Sequence, residues 1–351
     1  MIPRHQPPLG RRISKTWCRH GIIHAIAQIK VDKSEPRQVI LTGDTMNEPL
    51  NRTNTFPVSE QQARNWFSNE ESCLAFLFQK RWPVGFQCPY CRWQHQQSAP
   101  SRTIICSHCG HPSSITTNTI MHGSKKPLSR WLLTIWWLCA NETESSAKNL
   151  QRLLNLSSYQ TAWAWLQKLR MAMGMADNTA CHGLIELGCA PVLPAWEKPD
   201  QSLVIAAAET ILPAGITGRI RMAAIDSLEP VTINAFLRAA VTPGSSVFTP
   251  GLPAYKELKQ EGYIHVIDSS TNNPHRAEQL IKGFEIWLNK VHRGGVAVKY
   301  LQLYLNEFCF RNNSTMLPNL EAIFNLLLQS VLTNKPKPYH ELVSTRLPRR
   351  V

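Results

Sequence analysis

The sequence predicts an α+β protein of several domains: a small cysteine-knuckle module, a helical region, then an alternating strand–helix core closed by C-terminal helices. Three observations predict it. Two CxxC pairs stand at 88–91 and 106–109. Apolar residues at helical spacing run from Leu128 to about Met173. Between residues 184 and 290, short apolar runs of strand length alternate with helical ones. A chain of 351 residues has length for two or three cores.

Residues 1–55 are rich in Pro, Arg and polar residues, lack sustained periodicity and contain no acid before Asp32. They are expected to form a disordered, basic N-terminal extension. Met46 directly precedes the first patterned segment and offers an alternative translation start, which the N-terminal mass of the native protein would distinguish. The apolar patch in "RRISKTWCRHGIIHAIAQIK" is interrupted by two histidines and followed by no small-residue cleavage site, unlike a signal peptide. "WLLTIWWLCA" (131–140) is the most hydrophobic stretch and falls short of the ~18 apolar residues a membrane span requires.

The next expected unit, 56–115, joins a helix over Ser59–Lys80 to the cysteine cluster. Of ten cysteines, four form "CPYC" (Cys88, Cys91) and "CSHC" (Cys106, Cys109), fourteen residues apart. Each knuckle brings two thiolates to one side of a tight turn, and two knuckles complete a tetrahedron around Zn²⁺. So small a module has almost no apolar core, so the metal supplies most of its folding energy. Four thiolates close the site, which makes it structural, as a zinc ribbon. His95, His108 and His111 are neighbouring alternative ligands, and four unliganded thiols or a redox pair are the competing reading. Such cysteine usage fits a reducing compartment rather than a secreted disulfide framework.

A helical unit is expected over 116–175. Within it, "ESSAKNLQRLLNLSSYQTAWAWLQKLR" (144–170) reads as helix, turn, helix, with Ser145 or Ser146 and then Ser157 or Ser158 as caps. Ala162, Trp163, Leu166 and Leu169 would turn inward, leaving Tyr159, Gln160, Thr161, Gln167, Lys168 and Arg170 outward. That layout suits either a helix-turn-helix reading a major groove or a plain helical hairpin. Charge favours the first: Lys and Arg number 38 against 24 acids, a net +14, and such an excess points to a polyanion such as nucleic acid.

Strands are expected at Leu184–Cys189, Leu203–Ala208, Arg219–Ile225, Ser246–Phe248 and Tyr263–Ile267. Helices are expected at Val231–Ala240, Ala254–Gln260, Arg276–Lys290, Val298–Phe310 and Leu320–Leu332. Ala277, Leu280, Ile281, Phe284, Trp287 and Leu288 make the third of these clearly amphipathic. The core is bounded at 180–313, with a C-terminal helix and basic tail over 314–351.

The order "FLFQKRWPVGFQCPYC…CSHCG…SSITTNTIMHGSKKPLSRWLLTIWWL…SAKNLQRLLNLSSYQTAWAWLQKLR", then "GRIRMAAI…VTPGSSVFTPGLPAYKEL…GYIHVID" and "HRGGVAVKYLQLYLNEFCFRNN", resembles ISXO-type insertion-sequence transposases from about Phe56 to Asn313. The resemblance implies a zinc ribbon, a DNA-binding helical region and an RNase-H-like core that joins DNA strands with two Mg²⁺ held by carboxylates at strand ends. Its first strand reads roughly V-E-V-D-E in the family, and its fourth ends in T-D-G. Here "IELGC" keeps Glu186 but puts Gly188 at the catalytic Asp, and "TPG" puts Pro250 at the other. The family's lysine in the following helix aligns with Glu285. Neither glycine nor proline can ligate a metal through its side chain.

The resemblance therefore implies a DNA-binding transposase relative with lost or impaired strand transfer, structural Zn²⁺, and Mg²⁺ expected of the family but not bound here. Glu186 and Asp268 are the residual carboxylates, and Asp226 reads as a turn or helix cap. Glu307 and Cys309 read as structural. DNA contacts are expected from Tyr159, Gln160, Gln167, Lys168 and Arg170, and from Lys125, Lys126, His292 and Arg293 with Arg81, Arg92 and Arg102. Double-stranded DNA is the expected partner, in the bacterial cytoplasm at the nucleoid, with a homodimer or larger assembly left open. The alternatives are an active transposase using other carboxylates and a protein-interaction or regulatory module.

Overall fold

The structure is a computed structural model and describes residues 55–95, 100–141, 145–192, 202–268, 276–292, 296–335, 337 and 339–344. The extension over 1–54 and Arg293 lie outside the described residues. All described residues fall in one compact unit, Glu48–Val351.

Caps set the helices of the N-terminal half. Ser59 and Gln62 form a reciprocal capping box at the start of α1 (Glu60–Trp66). The single helix expected over 59–80 is broken after Phe67. Asn69 accepts from Glu71 N at 2.8 Å and Ser72 N at 3.0 Å, capping α2 (Glu70–Arg81). A short side-chain acceptor thus outcompetes helix continuation. The cysteine module follows, with antiparallel β1 (Thr103–Ile105) and β2 (Pro112–Ser114). Next come α3 (Leu128–Ala140), α4 (Ala147–Leu153) and α5 (Tyr159–Ala176), the last two capped by Ser146 and Ser158. After a first turn that carries Ser129 and Arg130, α3 is buried on every side from Trp131 to Leu138, and Trp131 stacks on Trp165 of α5 with centroids 3.8 Å apart.

The second half is a five-stranded sheet. Its strands are β3 (Leu184–Val192), β4 (Ser202–Ile211), β5 (Ile216–Ile225), β6 (Ser246–Thr249) and β7 (Ile264–Ile267). The spatial order is β5-β4-β3-β6-β7, with the first three antiparallel and β6 and β7 parallel to β3. This is the mixed sheet expected of an RNase-H-like core. Helix α6 (Pro230–Ala240) covers one face, meeting Ile185, Leu187, Ile205 and Ala207. Helices α7 (Arg276–Val291) and α8 (Leu301–Ser314) cover the other, meeting Val204, Ala206 and Ala208. The period-2 alternation along β3 and β4 assigns each residue its face.

The helix expected at 254–260 is instead a 3₁₀ turn, Pro253–Tyr255, followed by turns. Gly251 (φ +76°) and Gly262 (φ +87°) bracket a segment too short for a helical face, and Tyr255 and Leu258 simply plug the core beneath α6.

Helix α8 also closes the β5 edge. The Asn313 amide accepts from Ile220 N (2.9 Å) and donates to Ile220 O (3.1 Å). Gln302 accepts from Ala224 N (3.0 Å) and donates to Met222 O (3.4 Å). Side-chain amides thus satisfy the backbone groups an edge strand leaves open.

Helix α9 (Leu320–Thr333) returns into the N-terminal half, and α10 (Tyr339–Ser344) sets Tyr339 against Trp163 of α5. The Phe324 ring lies 5.2 Å from Phe56, 5.9 Å from Phe67 and 6.3 Å from Phe76. One apolar cluster therefore runs from Ala63 to Met173 and takes in Phe324, Leu327, Leu328 and Val331. It is continuous across residue 115, and it includes a helix that the sequence reading set apart in a C-terminal segment.

Candidate metal and nucleic-acid sites

The four knuckle sulfurs converge. Cys88 Sγ lies 3.7 Å from Cys109 Sγ, Cys91 Sγ lies 3.6 Å from Cys106 Sγ, and all four are within 4.8 Å of one another. A tetrahedral zinc with Zn–S bonds of ~2.3 Å sets its sulfurs about 3.8 Å apart, so the cluster fits that ion. His95 Nε2 stands 3.5 Å from Cys106 Sγ, placed to hydrogen-bond a ligand while Ser107 Oγ contacts its Nδ1 at 3.4 Å.

The two knuckles are built alike. Cys88 N donates to Trp93 O (2.9 Å) and Arg92 N to Cys88 O (2.8 Å). Cys106 N donates to His111 O (3.0 Å) and Gly110 N to Cys106 O (2.8 Å). The residue after each second cysteine is left-handed, Arg92 at φ +62° and Gly110 at φ +70°. Their side chains cross over: Tyr90 stacks on His111 at 4.8 Å and Trp93 on His108 at 4.7 Å. With His95 against Phe86 at 5.2 Å, all three candidate histidine ligands are packed against aromatic rings. Arg81, expected to face DNA, instead donates to the carbonyls of Ile115 and Thr117 and lies 4.5 Å over Trp82. Burial lowers its pKa to about 10. Its guanidinium staples α2 to the segment after the ribbon.

At the strand-end site, where a catalytic cleft would lie, continuing the β3–β6 and β6–β7 registers sets Gly188 beside Pro250 and Pro250 beside Asp268, with Glu186 two residues before Gly188 and the N-terminus of α7 packed on Gly188. Glu186 Oε2 accepts from Arg276 N at 2.6 Å, and its Oε1 lies 3.6 Å from Arg276 Nε. Arg276 in turn donates to Thr210 Oγ1 (3.0 Å) and Gly215 O (2.8 Å). The retained glutamate is thus engaged by the first residue of α7. A Cβ added to Gly188 would stand 3.1 Å from Ala277 Cβ and 3.3 Å from Glu278 Cγ. Glu278 is a carboxylate at the cleft that sequence reasoning did not single out; only the distant pairing of α7 with β3 brings it there.

Pro250 follows the fully buried Thr249, whose hydroxyl lies 2.8 Å from His265 Nε2. Asp268 is half-buried and donates its backbone N–H to Thr249 O at 3.0 Å. Asp226 is exposed beyond β5, three residues before the Glu229 cap position of α6. Among the described residues, the four cysteines are the one set of three or more metal-ligating side chains that converges.

Helix α5 corrects the outward face assigned to it. Gln167 is fully buried and donates to the Tyr304 hydroxyl at 3.4 Å. Arg170 is 2% exposed, and its Nε donates to Glu307 Oε2 at 2.7 Å. Arg311 Nη2 reaches the second Glu307 oxygen at 2.7 Å, and Ser145 O accepts from Arg170 Nη2 at 3.1 Å. Neither Gln167 nor Arg170 can touch DNA, because α8 covers that side of α5. Gly174 permits the approach: a Cβ there would run into the Asn306 amide.

His292 is corrected as well. It packs against Tyr304 at 4.7 Å, and its Nε2 is buried with no hydrogen-bond partner among the described residues. Burial, with Arg170 nearby, lowers its pKa to about 3. Of the remaining expected contacts, Tyr159, Gln160, Lys125, Arg92 and Arg102 are exposed, while Lys126 and Lys168 are half-buried. No described helix is long and apolar enough to cross a membrane.

Comparison with known families gives two matches, in the order the sequence suggests. Residues 68–112 match the transposase zinc-ribbon domain, and residues 194–313 match the ISXO2-like transposase domain. No curated protein and no solved structure matches the chain.

Proposed function

We propose that this chain, an ISXO-type insertion-sequence transposase with an N-terminal zinc ribbon, binds double-stranded DNA but has lost the chemistry of strand transfer. One observation carries the reading: no three carboxylates converge at the cleft among the described residues, while the sulfur ligands of the ribbon do. The side chains of Gly188 and Pro250 contribute no ligand atom, and the Glu186 carboxylate is already engaged by Arg276. A two-metal displacement needs anionic oxygens to hold both ions, and without them neither the attacking nor the leaving oxygen is stabilised. Binding survives this loss, because phosphate contacts come from exposed cations elsewhere, such as Lys125 and Arg102.

A second reading keeps activity with other acids, and Glu278 is what favours it, since its side chain reaches the space beside Gly188. One experiment separates the two. The purified protein is mixed with DNA carrying the element's ends, with and without Mg²⁺ or Mn²⁺, while retardation and nicking are read together. We expect salt-sensitive retardation and nicking equal to the no-protein control. Metal-dependent nicking abolished by Glu278→Gln would establish the active reading instead, and absence of retardation at low salt would overturn DNA binding itself.

A further inference from the structure

The two aromatic–imidazole pairs on the ribbon are not accounted for by holding zinc. Tyr90 is 73% exposed and Trp93 51% exposed, although each ring already has an imidazole against it. The interplanar angles are 12° and 11°, so each histidine lies flat beneath its ring and fixes its orientation. Equivalent knuckle positions supply each pair, which sets the two platforms in a near-twofold arrangement about the four sulfurs. Between them along the chain stands exposed Arg92, its backbone in the left-handed region. The sequence around them is cationic: residues 72–141 contain no Asp or Glu and seven Lys or Arg, of which Arg92 and Lys125 are exposed, Arg81 is held on backbone carbonyls and Arg102 pairs with Glu70 at 3.4 Å.

Flat, exposed, pre-oriented rings within a cationic surface match the chemistry of unpaired nucleobases. Every base has a π-face, stacking on an aromatic side chain is worth ~1–3 kcal/mol per base, and the cations follow the backbone. A paired duplex hides its base faces and offers such rings nothing flat to stack on. We therefore propose that the ribbon, through Tyr90 and Trp93 with Arg92 between them, binds unpaired bases of DNA, as at a frayed or nicked end. The inference rests on the DNA-binding reading above and adds the form of DNA that this module takes.

The test uses the full chain with zinc bound and fluorescence anisotropy on three probes: a single-stranded oligothymidine, a blunt duplex, and a duplex with a single-stranded overhang. We expect Trp93→Ala and Tyr90→Ala each to weaken the single-stranded and overhang probes about tenfold, with blunt-duplex affinity changed less than about twofold. Trp93→Phe and Tyr90→Phe should restore most of the loss, and the zinc content of all variants should equal that of the parent. Equal weakening on all three probes, no weakening on any, or a loss that tracks loss of zinc would overturn the inference, while duplex binding by the parent protein would still support the proposed function. Failure of the parent protein to bind any probe would overturn it together with the proposed function. Capture of a protein rather than DNA by the same rings, seen as parent-level DNA affinity in the alanine variants, would also refute it.

Discussion

On the proposed reading, the ribbon and the strand-end cleft are two metal sites of opposite fate in one chain. The ribbon keeps four ligands at spacings that suit zinc. The cleft presents a glycine, a proline and a glutamate engaged by Arg276. The difference lies in what each metal does for the fold. A structural zinc supplies folding energy outright, so loss of one cysteine unfolds its module. Carboxylates gathered for catalysis repel one another, and the fold gains when they go. The β3–β6–β7 sheet closes through backbone hydrogen bonds and apolar faces, and neither depends on an ion.

The largest expected effect tests the ribbon side of that contrast. Stripping zinc with a chelator, or Cys106→Ser, should melt the ribbon and the packing of Trp82 and Phe86 beneath it. Metal binding in comparable modules is worth about 10–16 kcal/mol. Millimolar Mg²⁺ should leave the melting temperature unchanged, and a clear Mg²⁺-dependent rise would break the contrast.

Next comes the buried Arg170–Glu307–Arg311 group, which stabilises without any metal. Removing one partner, as in Arg170→Ala or Glu307→Ala, should cost about 3–5 kcal/mol in denaturant unfolding. Burial alone would raise the Glu307 pKa, but Arg170 and Arg311 overcome that and hold it at about 2, below its ordinary 4.5. Its contribution is therefore complete above pH 4.5 and lost as the pH falls through about 2. His292 acts in the same direction over a higher range. Kept neutral in the fold, it costs stability as the pH drops below 6.5 toward 3. His292→Phe should flatten the acid limb of a stability–pH curve in that range.

The smallest effect sharpens the cleft side. Gly188→Asp should destabilise by about 1–3 kcal/mol, because Ala277 and Glu278 already fill the space, and should restore no nicking. A stable Gly188→Asp protein that nicks DNA would show the cleft to be only one residue from function.

Local chemistry was legible in the sequence. Cysteine spacing, the serine caps of α4 and α5, and the apolar runs of β3 and β4 each depend on residues close in sequence, and each is present in the fold. What failed depends on partners far along the chain. Gln167 and Arg170 read as outward because Tyr304 and Glu307, which bury them, lie 137 residues later. Glu278 stayed unnoticed for the same reason. Tyr90 and Trp93 had a local signal, two aromatics within a metal knuckle, but their exposure and cross-knuckle stacking required coordinates.

The position of Phe324 carries a consequence for how such a gene can decay. Its ring closes the cluster formed by Phe56, Phe67 and Phe76, so the first half of the polypeptide is finished only after ribosomes have passed Phe324. A frameshift or early stop codon upstream of that point yields a product with those aromatics facing water, prone to clump and be degraded. Point substitutions that spare the reading frame are then the route by which a copy can lose its chemistry and still persist as a folded occupant of its DNA.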